Sequence, residues 1–267
     1  MLLNCTRIAY RLLAGIVALC MAGLAHAQAW PAKPVRLIVP FAAGGTTDVV
    51  ARVLGQKLAE AWGQPVAIEN RTGAGGNLGA RTVVNAPADG HTILISTTSV
   101  AVNDTLYKNK GYASGDLRGV AIVGSTPEAL ILNPSNPAKT LKEFIAYVKS
   151  KGAELTFGHA GVGSISHVAG LVFNAKYGLT PNLVPYRGTG PATTGLLSGQ
   201  IDMLFAPVVI VPHIQSGKVR AIGVTTPKRT PLFPDIPTIA ETGLPGNESL
   251  GWFGVFAPAK TPEVIVN

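Results

Sequence analysis

Three glycine-rich loops, each between an apolar strand pattern and a helix pattern, are the segments of this sequence that could bind a ligand. They cover residues 40–48, 158–167 and 187–192. Glycines let the backbone approach a ligand closely, and the unpaired amides and positive dipole end of a helix start favour an anion. The loops therefore predict a site for a small carboxylate. Alternatively, the glycine pair makes only a tight turn and Ser164 or Ser166 only caps a helix.

Few charged side chains accompany these loops. Arg187 opens the third loop and Arg71 precedes the glycine-rich stretch 73–77, and each could bind an acidic ligand or lie at a solvated rim. Asp48 could act as a general base, but a carboxylate in a first helical turn usually stabilises the helix dipole. Asp202 is expected to hold a loop amide. The pattern favours backbone amides as the main partners of the anion.

Sequence motifs of common enzyme classes are missing. No serine has glycines two residues away on both sides, as a hydrolase elbow needs, and Gly217-Lys218 is followed by Val219 where a phosphate loop has Ser or Thr. The dinucleotide pattern fails at Leu78. His159 and His167 could meet, but no HExxH or nearby carboxylate completes a metal site. We therefore expect a binding protein without metal or cofactor, not an enzyme.

The first 27 residues have the layout of a secretory signal peptide. Arg7 and Arg11 precede an apolar run over 12–25, and a small-x-small cleavage site ends at Ala27. The apolar run is too short to span a bilayer comfortably. We expect cleavage after Ala27 and a periplasmic mature chain.

Cysteine usage and charge narrow the class further. Cys5 and Cys20 both lie in the leader, and Leu19 is not the small residue that a lipid-modified cysteine needs before it. The mature chain would therefore have no disulfides and would depend on a packed core. The chain carries 22 Lys and Arg against 14 Asp and Glu, without a basic run, so we expect no nucleic-acid partner.

Strand and helix patterns alternate along the chain, which predicts an α/β fold of mostly parallel sheets flanked by helices. Predicted strands cover 35–39, 66–69, 92–96, 120–123, 129–132, 155–158, 183–186, 201–206, 219–225 and 251–257. Predicted helices cover 47–62, a short segment after Gly79, 140–151 with a Thr140-x-x-Glu143 capping box, 166–176, 192–198, 207–216 and a short one begun by Thr238. We expect one lobe over 28–126, a second over 127–250, and a return to the first over 251–267.

Several segments resemble the receptor family of tripartite tricarboxylate transporters, also called Bug solute receptors. They read PFAAGGTTDVVAR, NRTGAGGNLGA, VPYRGTGPATTGLLSGQIDMLFAP, PHIQSGKVRAIGVT and WFGVFAPAKTP, and they span nearly the whole mature chain. The resemblance implies a two-lobe periplasmic-binding-protein fold of type II, the Venus-flytrap fold. It implies a monomer that closes on a carboxylate and delivers it to membrane permease subunits. A ligand sensor for a signalling partner and a secreted hydrolase are the alternatives.

The resemblance also implies the site residues, because the family holds its carboxylate through loop amides, hydroxyls and bridging waters. By position these are Phe41, Gly44, Gly45, Thr46, Asp48, Gly163, Ser164 and His167. We extend the predicted site to Asn77, Thr97, His159, Ala160, Thr189, Ala206 and Pro207. His159 stands where the family commonly has serine, which leaves the identity of the ligand open.

The last residues begin a helix that is too short to be stable. Thr261 is an N-cap and Pro262 occupies the first helical position, but the helix has little chain left to form. Family chains continue with further helices that complete the first lobe. We therefore expect a fragment with exposed apolar surface and a low melting temperature.

Overall fold

The computed structural model describes residues 30–207, 210–231, 234–242 and 248–267. The predicted signal peptide and its cleavage after Ala27 lie outside these residues. In chain order the elements are β1 (Val35–Val39), α1 (Thr46–Trp62), β2 (Val66–Asn70), α2 (Asn77–Val84), β3 (Thr92–Thr97), α3 (Ser99–Leu106), β4 (Leu117–Pro127), β5 (Ala129–Leu132), α4 (Leu141–Lys151), β6 (Thr156–His159), α5 (Ile165–Tyr177), β7 (Asn182–Pro185), α6 (Thr189–Leu197), β8 (Met203–Ala206), α7 (Val211–Gln215), β9 (Arg220–Val224), β10 (Leu250–Pro258) and α8 (Glu263–Val266).

The strands form two five-stranded sheets, one in each lobe. Their orders are β2-β1-β3-β10-β4 and β7-β6-β8-β5-β9. In the first sheet β1 is parallel to β2 and β3, while β10 is antiparallel to both of its neighbours. In the second, β6 is parallel to β7 and β8, while β5 is antiparallel to both of its neighbours.

The two-lobe α/β fold is confirmed, but both sheets are more mixed than the predicted mostly parallel sheets. The antiparallel strands β5 and β10 each enter their sheet from the other lobe. They are therefore not joined to a neighbouring strand by a crossover helix, and the parallel direction that such a crossover imposes does not apply to them.

Apolar cores lie on both faces of each sheet, which explains why the strands are almost continuously hydrophobic. In β1, Leu37 packs in the cluster on the α1 side and Ile38 in the cluster on the α2 side. In the second lobe, Phe157 and Phe173 contact Phe205 edge to face, with ring centroids 6.2 and 5.7 Å apart. These rigid sheets hold the loops at their carboxyl ends.

Most predicted elements are present, with shifts at their ends. Strands β1 and β5 have the predicted bounds, and the Thr140 side chain caps α4 by accepting a hydrogen bond from Glu143 N at 3.2 Å. Asp202 holds the start of β6 as expected, since its Oδ2 accepts hydrogen bonds from the amide and hydroxyl of Thr156 at 2.8 and 2.7 Å.

Three helix starts and one strand were predicted wrongly. Helix α2 begins at Asn77 rather than after Gly79, α6 at Thr189 rather than 192, and α7 at Val211 rather than 207. The α6 start is earlier because a proline is tolerated in a first helical turn. Strand β4 is longer than the predicted 120–123, and α3 was not predicted.

The chain passes from the first sheet to the second through one residue, Glu128, between β4 and β5. Its amide donates to Thr225 Oγ1 at 3.1 Å, and its carbonyl accepts from Thr225 N at 2.9 Å. Thr225 is joined in turn to Ser249, which precedes the return strand β10. We call the three stretches of chain that contain Glu128, Thr225 and Ser249 the hinge segments, because these residues lie side by side where the chain changes lobe.

Candidate functional site

A cavity lies where the starts of α1, from the first lobe, and of α5 and α6, from the second, come together. It holds about 370 Å³ of space that protein atoms do not occupy, part of it open solvent. Eight predicted site residues line it: Phe41, Gly45, Thr46, Thr97, Ala160, Ser164, Thr189 and Pro207. Thr47, Glu128, Ile165, Ser166 and Phe253 line it as well, although they were not in the predicted site.

Backbone amides are the main donors that this cavity offers. Thr46 and Thr47 open α1, Ile165 and Ser166 open α5, and Thr189 opens α6. Within the described residues none of these five amides has a hydrogen-bond partner. The first amides of a helix lack intrahelical acceptors and lie at the positive end of its dipole. Each lobe therefore contributes unpaired helix-start amides among the residues that line the cavity.

Hydroxyl groups supplement the amides. Thr46 Oγ1 is buried and has no hydrogen-bond partner among the described residues. Ser166 Oγ accepts a hydrogen bond from Ala160 N at 3.0 Å and lies 3.1 Å from Ser164 Oγ. Ser164 also caps α5 by accepting from His167 N at 3.3 Å. Ser164 thus serves as a helix cap and lines the cavity at once.

The glycine amides of the predicted site are used inside the loops themselves. Gly44 N donates to Asp48 Oδ2 at 2.9 Å, Gly45 N to Ala42 O at 3.3 Å, and Gly163 N to His167 Nδ1 at 3.2 Å. Gly44 and Gly163 do not line the cavity. The glycines shape the loops, and the unpaired amides lie one or more residues further along each chain segment.

Asp48 fixes the first loop and does not line the cavity. Its carboxylate accepts hydrogen bonds from Gly44 N, from Arg52 Nε and Nη2, and from Asn70 Nδ2, at 2.9 to 3.1 Å. Burial by itself would raise the pKa of Asp48, but these hydrogen bonds together hold that pKa below its ordinary value. An ionised carboxylate with all these donors stabilises the loop and is poorly suited to act as a general base.

His159 and His167 meet beneath the second loop rather than in the cavity. Their ring centroids are 4.4 Å apart, and each Nδ1 accepts a loop amide, from Gly161 at 3.3 Å and Gly163 at 3.2 Å. Burial lowers the pKa of His159 to about 4, and the neighbouring His167 contributes to this shift. Burial also lowers the pKa of His167. Both imidazoles are therefore neutral at pH 7 and support the loop from below.

Two other predicted site residues lie outside the cavity lining. Asn77 is buried in the first lobe, where its Oδ1 accepts hydrogen bonds from Asn103 Nδ2 at 3.0 Å and Tyr112 Oη at 3.2 Å, and it lines a different pocket. Ala206 is fully buried at the end of β8, directly before Pro207.

Neither candidate arginine lines the cavity. Arg187 is exposed and lines a neighbouring groove between the lobes, while Arg71 is exposed and pairs with Glu69 at 3.1 Å. In the described ranges, no three His, Cys, Asp or Glu side chains come together as a potential metal site. An anion in the cavity would therefore depend on helix starts and hydroxyls.

Sequence reasoning missed Glu128, the only ionisable side chain among the described residues that line the cavity. It is 1% exposed, and its Oε2 has no hydrogen-bond partner in the described part of the chain. Burial raises the pKa of Glu128 to about 8. Its position between two apolar runs marked it only as a linker, so no local pattern could have identified it.

The lobes also touch each other directly beside the cavity. Ala42 N donates to Arg187 O across the cleft at 2.9 Å. A methyl group added at Gly75 would lie 2.1 Å from Val162 O, and one added at Gly163 would lie 2.0 Å from Asn103 Oδ1. The glycines at these contacts let the two lobes approach closely.

Among the helices of the described residues, none has the length and apolar character that a membrane-spanning segment needs.

Comparison with known proteins identifies the family. The family model described as tripartite tricarboxylate transporter family receptor matches residues 50–267. The solved periplasmic binding protein BugD is 37% identical, with a TM-score of 0.86 over 89% of this chain and 80% of that one. Rpa4515 from R. palustris with adipate is 36% identical, with a TM-score of 0.86 over 89% and 80%.

MatC from Rhodopseudomonas palustris, solved with bound malate, is 40% identical, with a TM-score of 0.85 over 89% of this chain and 82% of that one. These structures share the two-lobe fold described above. Because the family model matches most of the sequence, this chain belongs to the receptor family of tripartite tricarboxylate transporters, whose fold is that of solute-binding receptors.

Proposed function

We propose that the cavity captures a small carboxylate and that the protein presents it, as a monomer in the periplasm, to permease subunits of a tripartite transporter. The observation that carries this proposal is the set of unpaired helix-start amides that both lobes contribute to one cavity. Hydrogen bonds to a charged acceptor contribute about 1.5–3 kcal/mol each, so a few of them suffice for a specific site. The malate of MatC and the adipate of Rpa4515 support a dicarboxylate.

The same geometry supports binding without turnover. A nucleophilic serine needs a general base within hydrogen-bond reach. Ser164 Oγ and Ser166 Oγ bond to each other, and they accept hydrogen bonds from the amides of His167 and Ala160 respectively. The Nδ1 atoms of His159 and His167 also accept backbone amides. Asp48 is held by Arg52 away from the cavity. We therefore propose that the protein is not an enzyme.

A thermal-shift screen across mono-, di- and tricarboxylates, acidic amino acids and aromatic acids would test the proposal, since a ligand that binds only the folded state raises the melting temperature. We expect at least one dicarboxylate to stabilise the protein. The Thr46→Val variant should bind it about 10-fold more weakly by calorimetry, because a donor to a charged group is lost.

Thr82→Val is the matched control, because Thr82 is half-buried on α2, does not line the cavity, and its hydroxyl donates to Leu78 O at 2.9 Å. This variant should bind as the wild type does. Equal affinity of the Thr46→Val and Thr82→Val variants would exclude the Thr46 hydroxyl from the site. A protein stabilised by no carboxylate would contradict the proposed ligand class.

A further inference from the structure

Glu128 combines two positions that no other described residue shares. It belongs to the hinge segments, as the single residue between β4 and β5, and it also lines the cavity. Two hydrogen bonds with Thr225 fix the backbone of Glu128, and they thereby fix the position of its Cα, from which the side chain extends. The buried Oε2 has no protein partner among the described residues. An unsatisfied buried polar atom is unfavourable unless a ligand supplies the missing hydrogen bond.

The charge state of Glu128 decides what it can bind. An ionised Glu128 beside a bound carboxylate would place two like charges in a poorly solvated cavity, where their repulsion is strong. A neutral carboxylic acid instead carries one O–H donor, and an O–H···O⁻ hydrogen bond to a carboxylate is short and strong. A carboxylate ligand therefore requires Glu128 in its acid form.

Among the described residues that line the cavity, none besides Glu128 carries an ionisable side chain. The elements around the cavity contribute threonines, serines and apolar residues, none of which titrates near neutral pH: Thr46 and Thr47 of α1, Thr97 of β3, Ser164, Ile165 and Ser166 of α5, Thr189 of α6, Pro207 after β8 and Phe253 of β10. Burial alone raises the pKa of Glu128. Thr225 and Ser249, the other two residues that define the hinge segments, are uncharged.

Ionisable residues that are near the cavity-lining residues in sequence make contacts elsewhere. Asp48 is paired with Arg52, and His159 and His167 lie beneath the loop, where burial lowers the pKa of each. Glu248, beside the last hinge segment, is exposed. Of the described residues that line the cavity, Glu128 is therefore the one whose protonation changes between pH 6.5 and 9.

We propose that Glu128 binds the ligand as a neutral acid, donating its O–H to a ligand oxygen, so that the site selects ligands with an acceptor at the hinge side. This inference rests on the proposed carboxylate-binding function. When Glu128 is ionised in the free protein, binding takes up a proton from solvent, and the ligand itself stays ionised. Affinity must then fall as the pH rises.

Calorimetry with malate and adipate at several pH values between 6.5 and 9 tests this inference. Each titration is run in two buffers of different ionisation enthalpy, so that proton uptake is measured directly. With a free-protein pKa of about 8, affinity should fall about 10-fold from pH 6.5 to 9, and about half a proton should be taken up at pH 8. Ligand carboxylates are already ionised throughout this range.

Two glutamine variants separate Glu128 from other titrating groups. Glu128→Gln keeps a neutral donor of similar shape, so it should bind malate or adipate with little pH dependence and should retain its affinity at pH 9. Glu60→Gln replaces an exposed α1 residue that pairs with Lys57, so it should keep the wild-type pH dependence.

The outcomes distinguish this inference from the proposed function. Binding that is independent of pH in the wild type, or proton release on binding, would overturn the role of Glu128 while leaving carboxylate binding intact. A pH dependence that persists unchanged in Glu128→Gln would do the same. Failure of the wild type to bind any carboxylate at any pH would overturn the proposed function, and this inference with it.

Discussion

Gly75 offers a way to hold the lobes apart without touching the cavity. It lies in the first lobe with a φ of +63°, and an added Cβ would be 2.1 Å from Val162 O and 2.6 Å from Tyr107 Oη. Val162 O is a backbone atom in the loop before α5, so it cannot rotate away. In Gly75→Ala the two segments must therefore separate by about 1 Å to reach ordinary contact distance.

This separation sets the expected loss of affinity. A ligand that bridges amides of both lobes at about 2.9 Å would lie near 3.9 Å from one set of donors, beyond hydrogen-bond reach. Each hydrogen bond to a charged group contributes about 1.5–3 kcal/mol, and 1.4 kcal/mol corresponds to a factor of ten. We therefore expect Gly75→Ala to bind malate or adipate about 10- to 100-fold more weakly by calorimetry.

Gly63 provides a matched control because its φ of +64° is nearly the same and an added Cβ would meet nothing within 4 Å. Alanine in this left-handed conformation costs about 1–2 kcal/mol at either position. Both variants should therefore show lowered melting temperatures without ligand, while only Gly75→Ala loses affinity. If the two variants bind equally well, ligand binding does not require the close approach of Gly75 to Val162 O.

Three further predictions concern stability. The pKa of Glu128 is raised from 4.5 to about 8, so the folded state binds more protons than the unfolded state in this interval and stability falls as the pH rises through it, by on the order of 5 kcal/mol. Urea unfolding at pH 5 and pH 9 should show this loss in the wild type and not in Glu128→Gln. His159 has the opposite sign: its pKa is lowered to about 4, so stability is lost as the pH falls from 6.5 towards 4, and His159→Gln should reduce this acid sensitivity. Gly170→Ala should lower the free energy of unfolding by about 1–3 kcal/mol, since the added Cβ would lie 2.0 Å from Phe157 Cζ in a packed core.

Local patterns predicted the elements whose ends are set by nearby residues. Strand β1 is enclosed by prolines and Thr140 caps its own helix, so sequence spacing was sufficient for both. Helix α3 was missed because Ser99–Leu106 contains several β-branched residues and no wide apolar stripe, a composition that does not favour a helix. The structure forms it by packing against α2 and β3.

The site was predicted less completely than the fold, because glycine loops show where a helix starts but not which amides remain unpaired. Gly44 and Gly163 lose their amides to Asp48 and His167, so the available donors move onward to residues such as Thr47 and Ile165. Asn77 was included when the predicted site was extended, yet it bonds inside its own lobe. Such choices depend on contacts between segments distant in sequence, and no local pattern records them.

The position of β10 has a consequence for the order of folding. It separates β3 from β4 in the first sheet, and the entire second lobe lies between β4 and β10 along the chain. The amino-terminal half can therefore finish its sheet only after a segment near the carboxyl end arrives, and such distant pairings form slowly. A newly made chain would therefore keep two unpaired strand edges, those of β3 and β4, until β10 has been synthesised.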